Sequence, residues 1–242
     1  MMIVCMILFT ACSNGDASKE DIKLYASSSL TNLLTNIEKE IEKEFSINLI
    51  LHIAPSSKLV ADVEDGGPFD LFLTPNKEHI ERLAESNYID PQSIETIAMN
   101  DIVCINYYND LEVNCDFSNL DERVQHVAIA DPETVTLGQF TKELLMNKGV
   151  WEEWEEQYRL ENSAPKVFDS VNSGDAEIGF VYGSDARFYQ YPYVDMDEQL
   201  QIPYKLAMNK EASKREVVKD LQNWFLSDSG QEILKKYGYI IE

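Results

Sequence analysis

The sequence predicts an α/β protein built as two lobes with a ligand cleft between them. Three observations carry this. Strand-like and helix-like segments alternate from residue 22 to residue 86 with short connections, the pattern of a parallel sheet covered by helices. A second set of strands and helices follows between residues 95 and 182, with no long linker before it. The chain then returns to helix. Two chain crossings are needed if those last helices rejoin the first lobe, and a ligand would sit where the lobes meet.

Residues 22–26 (IKLYA) read as a strand that ends in Ser27-Ser28-Ser29. A helix over 30–45 follows, with Leu30, Leu33, Leu34, Ile37, Ile41 and Phe45 at helical spacing. Serine is a preferred N-cap, because its hydroxyl satisfies a backbone N–H that has no partner at a helix start. Residues 47–53 (INLILHI) form the next strand. Ala54-Pro55-Ser56-Ser57-Lys58-Leu59 then repeats the strand–serine–helix junction, with a short helix over 57–64 stopped at Gly66-Gly67-Pro68. Residues 69–74 (FDLFLT) are a strand and 77–86 a helix. Strands are expected over 95–99, 102–107, 127–130 and 178–182. Helices are expected over 138–147, 151–158 and 168–172, the second with Trp151, Trp154 and Tyr158 packed on one face. Residues 202–208 read as extended, and 214–226 and 231–237 as helices. These elements place lobe 1 at residues 22–99 and 204–242 and lobe 2 at residues 100–203. The crossings fall near 98–101 and 202–204.

The composition narrows the partners. Of 242 residues, 43 are acidic and 20 basic, a formal charge of −23. That argues against nucleic acid and against anionic membrane surfaces. The hydrophobic fraction of 44 % with interspersed charge reads as soluble and globular. The three histidines, His52, His79 and His126, lack metal-ligand spacing to one another, and no HExxH is present.

The start reads as a targeting segment. Residues 2–11 are apolar, uncharged and too short to span a bilayer. Phe9-Thr10-Ala11-Cys12 and the polar run after it resemble a bacterial lipoprotein signal. The resemblance implies a signal peptide over 1–11, lipidation of Cys12 and a linker over 12–21; a lipid anchor tethers a protein without a spanning helix. Phe9 where Leu is usual and the missing basic n-region depart from the pattern. Cys104, inside the apolar run Ile102-Val103-Cys104-Ile105, reads as a buried thiol. A disulfide to Cys115 stays open for an exported protein, but the strand-interior setting of Cys104 weighs against it.

Four strand-to-helix junctions carry small or hydroxylic residues: Ser27–Ser29, Ser56-Ser57, Thr136-Leu137-Gly138 and Asn162-Ser163-Ala164. Tyr182 closes the IGFVY strand. Ligands of open α/β sheets bind beyond the carboxyl ends of the strands. Helix N-termini and hydroxyls from two lobes would surround a small anion with donors, with no Arg or Lys required. The global negative charge does not forbid this, because salt screens it over roughly 8–10 Å.

With YASSSLTNLL, APSSKL, GGPFDLFLTPNKEHIERL, IADPETVTLGQFTKELL, GFVYGSDA and SGQEILKKYGYII in this order, the chain resembles the periplasmic molybdate-binding proteins, solute receptors of ABC-type molybdate importers. The resemblance runs from about residue 22 to residue 242. It implies a two-lobed, type II solute-binding fold holding molybdate or tungstate, with no catalysis, no cofactor and no metal held by direct side-chain coordination. Its implied partners are an ABC membrane permease and its ATPase, and the receptor is expected to be a monomer. Carried over, Ser29 and Ser56 would donate through hydroxyl and backbone N–H, Leu137 and Ala164 through backbone N–H, and Tyr182 through its phenol. Ser28 stands where Ala is common, Pro55 replaces a Ser, and Thr136-Leu137-Gly138 stands where Pro-Ala-Gly is common; Leu137 would narrow the pocket. The segment around Ala164 matches poorly. Asp70 belongs to the pattern but is expected to brace the sheet edge.

Other readings compete with this one. A serine-dependent enzyme has only Ser163-Ala164-Pro165-Lys166 in its favour, an S-x-x-K without its companion motifs. A ferric-ion receptor of the same fold could draw on Tyr107-Tyr108 and on the phenols of Tyr189, Tyr191 and Tyr193. The effector lobe of a transcription regulator conflicts with the exported start and with the lack of an N-terminal helix-turn-helix. The main alternative is therefore a ferric-ion or other small-oxyanion receptor of the same fold.

Overall fold

A computed structural model describes residues 19–108, 115, 120, 122–196 and 201–241. The expected signal peptide over 1–11, the lipidation site Cys12 and most of the linker lie outside the described residues.

Two five-stranded sheets organise the chain. The first contains β1 (Glu20–Ser27), β2 (Ile47–Ala54), β3 (Leu71–Thr74), β4 (Glu95–Asn100) and β10 (Ile202–Met208), in the order β2-β1-β3-β10-β4. The second contains β5 (Ile102–Asn106), β6 (Val127–Ala130), β7 (Tyr158–Glu161), β8 (Ile178–Tyr182) and β9 (Tyr193–Asp195), in the order β7-β6-β8-β5-β9. In the first sheet β1 is parallel to β2 and β3, and β10 runs antiparallel to β3 and β4. In the second, β6 is parallel to β7 and β8, and β5 runs antiparallel to β8 and β9. The two sheets therefore share one layout, although the sequence shows no internal repeat. The chain passes from β4 to β5 through Asp101 alone and returns from β9 to β10.

Side-chain alternation explains the layering. In β1, Ile22, Leu24 and Ala26 face one core, with Leu30, Leu33, Leu34, Ile37 and Ile41 of the segment leading into and forming α1 (Thr31–Glu44). Tyr25 faces the other way, onto Leu59, Val60 and Val63 of α2 (Ser56–Glu64) and Ile80 and Leu83 of α3 (Lys77–Glu85). Period 2 in the strand and 3.6 in the helices thus cover both faces of the sheet. Asp70 braces the edge as expected: it accepts from Lys23 N at 2.7 Å and pairs with Arg215 at 2.5 Å.

The other helices are α4 (Thr136–Lys148), α5 (Ala164–Asn172), α6 (Gly183–Phe188), α7 (Glu216–Leu226) and α8 (Asp228–Lys236). Four local readings need correction. Residues 151–158 are not a helix; a 3₁₀ turn over Glu155–Gln157 leads into β7. Trp154 is buried and Trp151 stacks on Tyr158 with centroids 4.6 Å apart, so the aromatics pack as expected on a different backbone. Helix α5 begins four residues earlier than expected, with Pro165 in its first turn, where the missing N–H costs no helix bond. Strand β9 and helix α6 have no counterpart in the sequence reading. Finally, Cys104 and Cys115 form a disulfide with Cα atoms 6.3 Å apart, inside the range a bridge requires. A residue in a strand interior still presents its side chain to one face, and Cys115 lies against that face.

Candidate functional site

The shared layout aims the parallel strands of both sheets at one place. Each of β1, β2, β3, β6, β7 and β8 ends at a junction that leads into a helix. These six junctions supply the walls of one small cavity, lined by Ser27, Ser28, Ser29, Pro55, Ser56, Pro75, Val135, Thr136, Leu137, Ala164 and Tyr182. The cavity is far smaller than the roughly 300–1,000 Å³ pockets that drug-sized ligands occupy. No lining residue is charged. All five residues singled out from the sequence, Ser29, Ser56, Leu137, Ala164 and Tyr182, are on these walls.

The donors are free. Helices α2, α4 and α5 start with no side chain capping them, and neither does the 3₁₀ turn Ser28–Leu30 that precedes α1. Outside the cavity walls α3 and α8 are capped by Asn76 and Ser227, while α7 starts without a side-chain cap. Helix geometry leaves the first-turn N–H groups without an intrahelical acceptor, and those of Ser56, Leu137 and Ala164 fall in that turn. The serines thus do not act as the caps their positions suggested. Ser27 Oγ bonds Ser56 Oγ at 2.5 Å, and Thr74 Oγ1 donates to Ser56 Oγ at 3.0 Å. Gly138 seats α4: a Cβ there would collide with the Ala130 carbonyl at the end of β6. Leu137 belongs to the core as well as to the cavity wall.

Among the described residues seven buried side-chain polar atoms lack a hydrogen-bond partner, and three of them belong to this one cavity: Ser29 Oγ, Thr136 Oγ1 and Tyr182 Oη. A buried polar group left unpaired costs about 1–3 kcal/mol. Ser29 and Tyr182 also face the Tyr204 phenol, outside good hydrogen-bond geometry, whereas Thr136 has no such neighbour among the described residues. Together the three mark a place open to an acceptor. Tyr182 is held by Tyr204 of β10, packed edge-to-face with centroids 5.9 Å apart. Burial first, then the neighbouring Tyr204, holds the Tyr182 phenol well above its ordinary pKa, so it remains an O–H donor.

The lobes touch on both sides of the cavity. Ser57 Oγ donates to Thr134 O at 2.7 Å, and Asn76 Nδ2 donates to Gln139 Oε1 at 3.1 Å. On the other side Tyr189 Oη donates to Asn32 Oδ1 at 3.0 Å, and Asn32 Nδ2 reaches Asp185 Oδ1 at 3.5 Å. Asp185 is buried, and its Oδ2 has no partner. Burial above all, and Asp169 after it, push its carboxyl up to about 7 against the bond from Asn32. In the unfolded chain it titrates near 3.8. The stability this group contributes is therefore present below about pH 4 and lost as pH rises to 7, at about 1.4 kcal/mol per pH unit. Asp185→Asn should flatten that fall, as seen in urea midpoints of variant and wild type between pH 4 and 8; parallel pH profiles would contradict the assignment.

Residues of the competing readings lie elsewhere. Tyr107 and Tyr108 pack edge-to-face on the surface, Tyr191 donates to Asn106 O, and Tyr189 is engaged with Asn32. Lys166 pairs with Asp169 rather than with Ser163. Sequence reasoning left out Thr74, whose hydroxyl holds Ser56, and Pro75; the only sign of them is the Thr-Pro step that ends the FDLFLT strand. Among the described residues no helix is long and apolar enough to cross a membrane.

Some known proteins of similar sequence or shape are named for small anions, and one of similar shape is named for bound iron. The molybdate-binding protein ModA of Escherichia coli K12 is 26% identical over 246 residues, covering 97% of this chain and 94% of that protein. The periplasmic molybdate-binding protein of Azotobacter vinelandii superposes with a TM-score of 0.81 at 18% identity, over 91% of this chain and 99% of that one. The sulfate-binding protein SubI of Mycobacterium tuberculosis H37Rv superposes at 0.77 with 14% identity, over 91% of this chain and 86% of that one; at that distance the likeness is one of fold alone. Residues 22–240 match the family of bacterial extracellular solute-binding proteins, and the chain belongs to that family.

Proposed function

We propose that this protein is the extracytoplasmic receptor that captures molybdate or tungstate between its lobes and delivers it to an ABC permease driven by an ATPase. It performs no reaction and needs no cofactor. Residues 20–100 and 202–241 act as one lobe and residues 102–195 as the other, closing about Asp101 and the start of β10. Cys12 carries a lipid that keeps the receptor at the outer face of the cell membrane. The anion is held by Ser29 and Ser56 through hydroxyl and amide, by the amides of Leu137 and Ala164, and by the phenol of Tyr182.

One observation carries this reading: a small cavity without a charged wall, in which uncapped helix starts and partnerless hydroxyls from both sheets converge. Such a ring stabilises a dianion by aligned N–H and O–H dipoles, at sites where helix N-termini already favour negative charge. The names of the E. coli and A. vinelandii proteins make molybdate the first anion to test. Tyr182→Phe should weaken molybdate binding by about 1.5–3 kcal/mol, the range for a hydrogen bond to a charged group. Calorimetric titration checks it, and an unchanged Kd would remove Tyr182 from the contact set.

A further inference from the structure

We propose that the side-chain hydroxyl of Thr136 is a further anion-binding donor, contributed from the second lobe. This deepens the proposed function and rests on it. Thr136 is the first residue of α4 and is 5% exposed. It lines the cavity. The described residues include three buried threonines. Thr74 donates its hydroxyl to Ser56 Oγ and Thr141 to the Leu137 carbonyl, whereas Thr136 Oγ1 has no partner. Among the described residues nothing uses that hydroxyl: the start of α4 carries no side-chain cap, and Thr136 bonds to neither neighbouring turn.

The shared sheet layout gives the position its meaning. The β6-to-α4 junction is the counterpart in the second sheet of the β1-to-α1 junction, where Ser29 Oγ is likewise buried and partnerless. The next pair of junctions is unlike: α2 opens on Ser56 and α5 on Ala164. Without Thr136 the second sheet would offer helix amides and the Tyr182 phenol but no aliphatic hydroxyl. With it, each lobe grips the anion with a hydroxyl set on a helix start.

The test compares wild type with Thr136→Val, which keeps the branched shape and removes the hydroxyl, and with Thr136→Ser, which keeps the hydroxyl. Calorimetry with sodium molybdate and sodium tungstate reads binding, and melting without anion reads the fold. Thr136→Val should bind both anions roughly 10- to 100-fold more weakly, with a ligand-free melting temperature equal to or above wild type, because an unpaired buried hydroxyl has been removed. Thr136→Ser should stay within about threefold of wild type. A Val variant that binds as wild type does overturns the inference and leaves the receptor reading standing. So does a Val variant that melts lower without anion and binds normally, which is the signature of a structural hydroxyl. A wild-type chain that binds neither anion overturns the receptor reading, and this inference with it.

Discussion

Arg187→Ala is expected to cost about 3–5 kcal/mol of folding stability, the penalty for leaving one charge of a buried pair without its partner. The guanidinium lies against Asp101, the single residue between β4 and β5. Nη2 donates to Asp101 Oδ1 at 2.7 Å and Nη1 to Oδ2 at 3.1 Å, while Nε donates to the Gly238 carbonyl at 2.6 Å. Asp101 is 4% exposed and Arg187 25%, so solvent does little to replace the lost bonds. Although burial works against the charged form of Arg187, Asp101 outweighs it and raises the guanidinium's pKa further. Around the pair, Asn100 bonds both the hydroxyl and the amide of Ser184. One ion pair thus joins the crossing segment, the last turn of α6 and the C-terminal turn. Lys58→Ala supplies the contrast. Lys58 is paired with Asp62 on an exposed helix face, and pairs of that kind are worth about 0.5 kcal/mol or less. Urea unfolding of both variants checks the difference; an Arg187→Ala variant as stable as Lys58→Ala would contradict the central role given to the crossing.

Much of this architecture was legible because local pattern and tertiary demand agree. In α1 the apolar positions repeat at helical spacing over four turns, and every one of Leu33, Leu34, Ile37 and Ile41 is buried. The junction residues were legible for a different reason: serines after a strand have few purposes, and here the capping one is not in use. Where reading failed, the chain carried a competing signal or none. Tyr158-Arg159-Leu160-Glu161 is an edge strand paired on one side only, so it lacks the buried alternation of an interior strand. Trp151, Trp154 and Tyr158 meanwhile mimic a helix face. That miss matters, because the end of β7 sets where α5 begins and hence where Ala164 stands. Strand β9 is three residues long and at the other edge. Thr136 was visible as a residue but not as a donor, since only the fold shows that its hydroxyl is buried and unpaired.

Selectivity tests the central claim most directly. Molybdate and tungstate are nearly equal in size and larger than sulfate. A rigid ring of amides and hydroxyls sets one radius, so a smaller anion leaves some donors stretched or unpaired, at about 1–3 kcal/mol for each buried group. Near neutral pH phosphate also carries a proton that needs an acceptor, and the cavity wall has no carboxylate to receive it. The measurement is the thermal unfolding of the protein with each of the four anions at matched ionic strength. At a thousand times its Kd, molybdate or tungstate should add about 4 kcal/mol to stability, a rise of roughly 8–16 °C for a chain of this size, while sulfate and phosphate shift it little. Equal shifts with sulfate and molybdate would contradict the size argument, and no shift with any of the four would contradict the anion receptor itself.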